Sequence, residues 1–124
     1  MNKILVVDDN EQNRYLATYL LEHAGETCDQ AVNGEQAVEQ AQQNSYGLIL
    51  MDVQMPIMDG IEAARIIREQ GLCAKIIALT AKAMRGDEEK LLASGFDGYV
   101  AKPIDPENFI KQVKHWMLED KIHP

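Results

Sequence analysis

The chain has 124 residues, 46% of them hydrophobic and 26% charged, which is ordinary globular stock for one domain with a proper core. Its formal charge of -8 argues against a nucleic-acid grip, which needs clustered Lys and Arg to displace counterions from phosphates. No apolar run approaches the ~20 residues that span a bilayer, and the N-terminus lacks the apolar segment of a signal peptide, so the expected address is the cytoplasm.

Residues 4–7 form a short continuous apolar run, as expected of a strand covered on both faces. A helical stretch follows with Leu16, Leu20 and Ala24 in one stripe and Ala17 and Leu21 beside it, closed by Gly25. Thr27 to Ala31 reads as a more polar strand suited to a sheet edge, and Cys28 within it pairs by spacing with neither a metal motif nor Cys73. Asn33 to Gln36 reads as a capping box opening a helix through Ala37, Val38 and Ala41. Residues 48–51 are a second buried strand, and a loop with Pro56 leads to a helix starting near Gly60, with Ile61, Ala64 and Ile67 on one face. Residues 76–79 are a third apolar run. Met84 to Ser94 reads as a helix with Leu91 and Leu92 on its apolar side, and Tyr99 to Ala101 as a short strand. Asp105 and Pro106 cap and start the last helix, whose expected buried stripe is Phe109, Val113, Trp116 and Met117.

Five strands alternating with five helices imply βα units, right-handed crossovers and a parallel sheet with helices on both faces. The predicted fold is α/β, flavodoxin-like and doubly wound, with strand order 2-1-3-4-5, and a single domain over 1–124 with its core at about 3–118.

Polar residues stand where each strong strand stops: Asp8 and Asp9, Asp52, Thr80, and Lys102 followed by Pro103. In a parallel sheet these are carboxyl ends gathered on one edge, where open α/β sheets bind ligands at the point of strand-order reversal. Three carboxylates crowded there raise one another's pKa, and a divalent cation removes the conflict. Hard oxygen ligands suit Mg²⁺, or Mn²⁺ in its place. With a hydroxyl and an ammonium facing it, Asp52 has the surroundings of a nucleophile in phosphoryl transfer. Each piece alone has a plainer meaning: Asp-Asp before a helix is a cap, Thr80 a loop hydroxyl, Lys102 a surface charge, Tyr99 an edge-strand packing residue, Asp59-Gly60 a turn. Their joint placement at successive strand ends favours the chemical reading.

From Ile4 to about Leu118 the chain resembles a response-regulator receiver domain. Residues 50–60, running Leu-Met-Asp-Val-Gln-Met-Pro-Ile-Met-Asp-Gly, resemble that family's phospho-acceptor loop, and Thr80-Ala81 and Lys102-Pro103 resemble its other two signatures. The resemblance implies that Asp52 accepts the phosphoryl group. It also implies that Asp8, Asp9 and Asp52 hold Mg²⁺ with the backbone carbonyl of Gln54. Thr80 then donates to the phosphoryl group, Lys102 pairs with it, Tyr99 reports the switch, and Ala81 keeps the approach to the acceptor open. Lys102-Pro103 is expected to be a cis peptide, which aims the ammonium at Asp52. Lys82, two residues after Thr80, is expected to lie against the phosphoryl oxygens beside Gln54 and slow the loss of phosphate, since an ammonium has no lone pair to orient water.

The expected partners are a sensor histidine kinase, a histidine phosphotransfer protein or both, and a downstream protein target, with no nucleic acid and no membrane. Catalysis is confined to Mg²⁺-dependent self-phosphorylation and autodephosphorylation. Absent any output domain, the chain reads as a free-standing regulator, the other reading being a receiver cut from a hybrid kinase. A small aspartyl phosphatase would need an Asp-x-Asp nucleophile motif after the first strand, which Asp8-Asp9-Asn10 does not supply. A flavin carrier would need a Ser/Thr/Gly-rich phosphate loop there, where this chain puts acids.

Overall fold

The computed structural model describes residues 3–81 and 87–122, with side chains described as far as Met117 except that of Asp87. The elements follow in strict alternation: β1 (Lys3–Val7), α1 (Glu11–His23), β2 (Thr27–Ala31), α2 (Gly34–Gln43), β3 (Tyr46–Asp52), α3 (Gly60–Glu69), β4 (Lys75–Thr80), α4 (Asp87–Ala93), β5 (Gly98–Ala101) and α5 (Pro106–Ile122). The five strands pair in parallel in the order β2-β1-β3-β4-β5, as expected from the sequence.

The continuous apolar runs are explained by the period-2 alternation of strand side chains between two covered faces. Leu5, Val7, Ile49, Met51, Ile76 and Ala78 join one core with Ala37 and Ala41 of α2, Ala63, Ala64 and Ile67 of α3, and Leu91 of α4. Ile4, Val6, Leu48, Leu50, Ile77, Leu79 and Val100 join the other with Ala17 and Leu21 of α1 and Phe109 and Val113 of α5. Full burial of a Leu, Ile or Phe contributes about 1.5–3 kcal/mol, so the central strands anchor both layers. β2 lies at the edge and is the polar strand, with Thr27 and Gln30 exposed.

Local signals set the helix ends. The Asn10 side chain accepts from Asn13 N–H at 2.9 Å, Asn33 from Gln36 N–H at 2.9 Å, and Asp59 from Glu62 N–H at 2.9 Å. The expected capping box at α2 is only half realised. Gln36 Oε1 accepts from Val32 N–H at 3.1 Å, one residue upstream of the cap, and so braces the incoming chain. Gly25, at φ +96, closes α1.

Met84, the expected start of the fourth helix, lies outside the described residues, and the described part of that helix runs from Asp87 to Ala93. Two other expectations are corrected. Leu92 is 50% exposed, because it lies about 100° around the helix from Leu91, which faces the core. On α5, Phe109 and Val113 are buried, but Trp116 and Met117 are half-buried against the same core, with the Trp116 ring lying over Gly98. Among the described residues no helix is long and apolar enough to cross a membrane.

Candidate phospho-acceptor site

Parallel pairing delivers the strand ends to one edge, and the ladder runs slightly past them. Asp8 N–H donates to Ala31 O at 3.2 Å, Val53 N–H to Leu79 O at 3.2 Å, and Lys102 N–H to Thr80 O at 2.9 Å. Asp8, Asp52 and Thr80 are therefore buried polar residues on rigid backbone, with Asp8 only 1% exposed. Asp9, already on the turn into α1, is exposed.

Carboxylate oxygens of Asp8, Asp9 and Asp52 lie within 4.8 Å of one another. The Lys102 ammonium sits among them, 3.0 Å from Asp8 Oδ2 and 3.2 Å from Asp52 Oδ1. Asp8 Oδ1 also accepts from Asn10 N–H at 2.9 Å. The electrostatics show that one ammonium is not enough. Burial, then the neighbouring Asp8 charge, push the Asp52 carboxyl up to about 6, against the opposing pull of Lys102. Burial works against the Lys102 charge, yet Asp8 and Asp52 outweigh it and raise its pKa.

These groups line a cleft of about 260 Å³ with Gln54 and Ala81 also on its wall. A cleft of similar size, about 270 Å³, at the opposite edge of the sheet near Tyr46 and Cys73 has no charged lining. Three hard carboxylates against a single ammonium suit a divalent cation, which would relieve the strain on Asp52.

The loop after Asp52 is strapped in place. Gly60 N–H donates to Val53 O at 2.9 Å, and a Cβ at Gly60 would run into the Asp52 carbonyl, so only glycine lets α3 start this close. Gly34 N–H, at the start of α2, donates to Met58 O at 3.0 Å. At the apex Ile57 adopts φ +72 with 77% of its surface exposed. A β-branched residue in that region is strained by about 1–2 kcal/mol, and its exposed side chain returns little by burial. Ile57→Asn, which tolerates the left-handed region, is expected to raise stability by up to about 1 kcal/mol in urea unfolding. A loss of stability would show that Ile57 is not strained.

The structure brings Asp8, Asp9, Asp52, Gln54, Thr80, Ala81 and Lys102 together in one cleft, and the Lys102-Pro103 peptide is cis. Tyr99 is not in the cleft lining; it packs half-buried against the core shared by α2, α3 and α4. Lys82 lies outside the described residues. Sequence reasoning missed Asn10 and Asn13, which also line the cleft. Their position in the first turn after Asp9 was the available signal.

The family model described as response regulator receiver domain matches residues 4–114. The chain is 35% identical over 116 residues to the polar-differentiation response regulator DivK of Brucella anthropi, covering 92% of this chain and 94% of that protein. Other curated relatives, 40% and 45% identical, are far longer, and the chain spans 17% and 12% of their length. Among solved structures, the receiver domain of a sensor histidine kinase from Pseudomonas aeruginosa PAO1, with a magnesium ion coordinated in its active-site cleft, has a TM-score of 0.84 at 37% identity. That match covers 94% of this chain and 97% of that one. The receiver domain of Ssk1 in its co-crystal with the phosphotransfer protein Ypd1, from Saccharomyces cerevisiae, has a TM-score of 0.89 at 30% identity, covering 96% and 90%.

Proposed function

Because the chain belongs to the response regulator receiver family, a signalling domain of two-component phosphorelays, we propose that Asp52 is its phospho-acceptor. The supporting observation is the buried Asp52 carboxylate, crowded by Asp8 and Asp9 and paired with Lys102 at the carboxyl edge of the sheet. We read residues 3–118 as one receiver core acting in the cytoplasm.

In the reaction, a carboxylate oxygen of Asp52 attacks phosphorus in line as the bond from phosphorus to a donor's imidazole nitrogen breaks. The acyl phosphate forms on Asp52, and the imidazole leaves with its electron pair. Asp8, Asp9 and Asp52, with the Gln54 carbonyl, would hold Mg²⁺, which neutralises charge on the phosphoryl oxygens when bound. Lys102, poised between Asp8 and Asp52, turns to the new phosphoryl oxygens, and the Thr80 hydroxyl donates to one of them. The small Ala81 side chain leaves the approach open.

The proposed donor is a sensor histidine kinase or a histidine phosphotransfer protein, as the Ssk1–Ypd1 neighbour supports, and the readout is a downstream protein. Movement of Thr80 leaves room for Tyr99 to turn inward and remodel the face of α4, β5 and α5. Hydrogen bonds to a charged group are worth about 1.5–3 kcal/mol each, so two approach the ~5.5 kcal/mol that inverts a 1:99 population. Phosphorylation should therefore shift backbone amide resonances of β5 and α5; unmoved resonances there rule out this route.

Incubation with a small phosphodonor and Mg²⁺ should add one phosphoryl group, read by intact mass, and a chelator should abolish the gain. Uptake that is equal with and without chelator overturns the metal-assisted reading.

A further inference from the structure

Resting on that reading of the cleft, we propose that Arg14 is a positioning residue for the cation site, acting through Asp8. Arg14 lies on α1 one turn beyond the cap Asn10, outside the cleft lining, and its side chain reaches back to the Asp8 backbone, as helical side chains lean to the N-terminus. Its Nη1 donates to the backbone carbonyl of Asp8 at 2.9 Å, and its Nε donates to Gln30 Oε1 on β2 at 2.9 Å.

The need for such a clamp follows from where Asp8 sits. It is the first residue past β1, and its N–H makes one more ladder bond, to Ala31 O. Beyond Ala31, β2 turns into the loop leading to α2, and Arg14 supplies a donor to the Asp8 carbonyl at that point. Every polar atom of Asp8 is then engaged: N–H by Ala31, the carbonyl by Arg14, Oδ1 by Asn10 N–H, and Oδ2 by Lys102. Gln30 in turn is braced, since its own carbonyl accepts from Gln40 Nε2 at 2.8 Å. The planar fork of Arg14 thus ties α1 and β2 to the residue whose carboxylate helps define the acidic cleft, a two-ended grip that a lysine reproduces only at one end.

Positioning and simple charge predict opposite signs. As a bare positive charge near the cleft, Arg14 opposes a divalent cation, and its removal would tighten binding. As the group holding Asp8 in register with Asp9 and Asp52, its removal weakens binding, and outer partners of metal ligands typically matter by about 10–100-fold.

The test is calorimetric titration of the full chain with Mg²⁺, at a temperature where circular dichroism shows each variant folded. Arg14→Met should weaken Mg²⁺ binding about tenfold, and Arg14→Lys, which keeps a donor for the Asp8 carbonyl, should recover most of it. Equal or tighter binding by Arg14→Met overturns the proposal, as does Arg14→Lys binding no better than Arg14→Met. Should Arg14→Met not fold, Gln30→Ala on the exposed edge decides: about threefold weakening is expected, and unchanged affinity overturns the grip. A wild-type chain that binds no Mg²⁺ instead sinks the reading of the cleft itself.

Discussion

Replacing Asp52 with Asn should stabilise the metal-free protein at pH 7 by about 2 kcal/mol, with the gain vanishing near pH 4. Burial and the Asp8 charge raise the Asp52 carboxyl from 3.8 to about 6. An acid whose pKa is higher folded than unfolded binds its proton more tightly in the folded state. Its contribution is therefore fully present below the unfolded pKa and is lost as pH rises through about 4 to 6. Two units correspond to about 3 kcal/mol, with the pull of Lys102 already included, and an amide mimics the protonated acid imperfectly, which trims the gain. The check is urea unfolding of both proteins with chelator at pH 4 and pH 7. Excess Mg²⁺ should reverse the ranking, because a cation held by the wild-type carboxylates stabilises the folded state by mass action. An Asn variant less stable than wild type at pH 7 without metal would show that Asp52 is not electrostatically frustrated.

A larger loss, about 3–4 kcal/mol, is expected for Arg68→Met. Arg68, in the last turn of α3, donates from Nε to Gly95 O at 2.9 Å, from Nη1 to Leu72 O at 3.1 Å and Ala74 O at 2.7 Å, and from Nη2 to Asp97 Oδ2 at 2.7 Å. Asp97 Oδ2 also accepts from Ile76 N–H at 2.9 Å, and Asp97 N–H donates to Ile76 O at 2.7 Å. One guanidinium therefore holds together the end of α3, the start of β4 and the turn into β5. Single charged hydrogen bonds are worth about 1.5–3 kcal/mol, but the four are not additive. The Arg68 side chain is 28% exposed, so water recovers part of the loss. Methionine keeps the aliphatic stem over Gly95, which isolates the polar contribution. The urea midpoint should fall with the slope unchanged, while Arg65→Met on the exposed side of the same helix should stay within about 0.5 kcal/mol. A loss below about 1 kcal/mol would show that the network is surface decoration.

The fold was legible because burial on two faces leaves a mark that survives in the sequence: the runs at residues 4–7, 48–51 and 76–79 are apolar at every position. The cleft was legible for the same reason, since Asp8, Asp52 and Thr80 follow those runs directly, Lys102 follows the shorter strand before it, and a parallel sheet sends all their ends one way. Features set by reach between elements were not legible. Arg14 and Arg68 look like solvated helix charges until the backbone places a carbonyl under each guanidinium. β3 begins at Tyr46, ahead of the apolar run, where it pairs with Lys3 of β1, and the Tyr46 hydroxyl donates to Asp29 on β2 at 2.7 Å, a tie between distant residues. Leu92 was misassigned because the sequence does not tell which of two adjacent leucines, about 100° apart around the helix, faces the core.

The identity of the acceptor can be read at the level of one atom. After incubation with a small phosphodonor and Mg²⁺, borohydride delivers hydride to the carbonyl carbon of an acyl phosphate, expels phosphate and leaves an alcohol. Sequencing the tryptic peptide from Tyr15 to Arg65 by mass spectrometry should then find homoserine at position 52 in wild type, and Asp52→Ala should gain no phosphoryl group at all. Phosphoryl uptake by Asp52→Ala at the wild-type rate, or an unreduced aspartate at position 52 in protein that carried the phosphoryl mass, would contradict Asp52 as the acceptor.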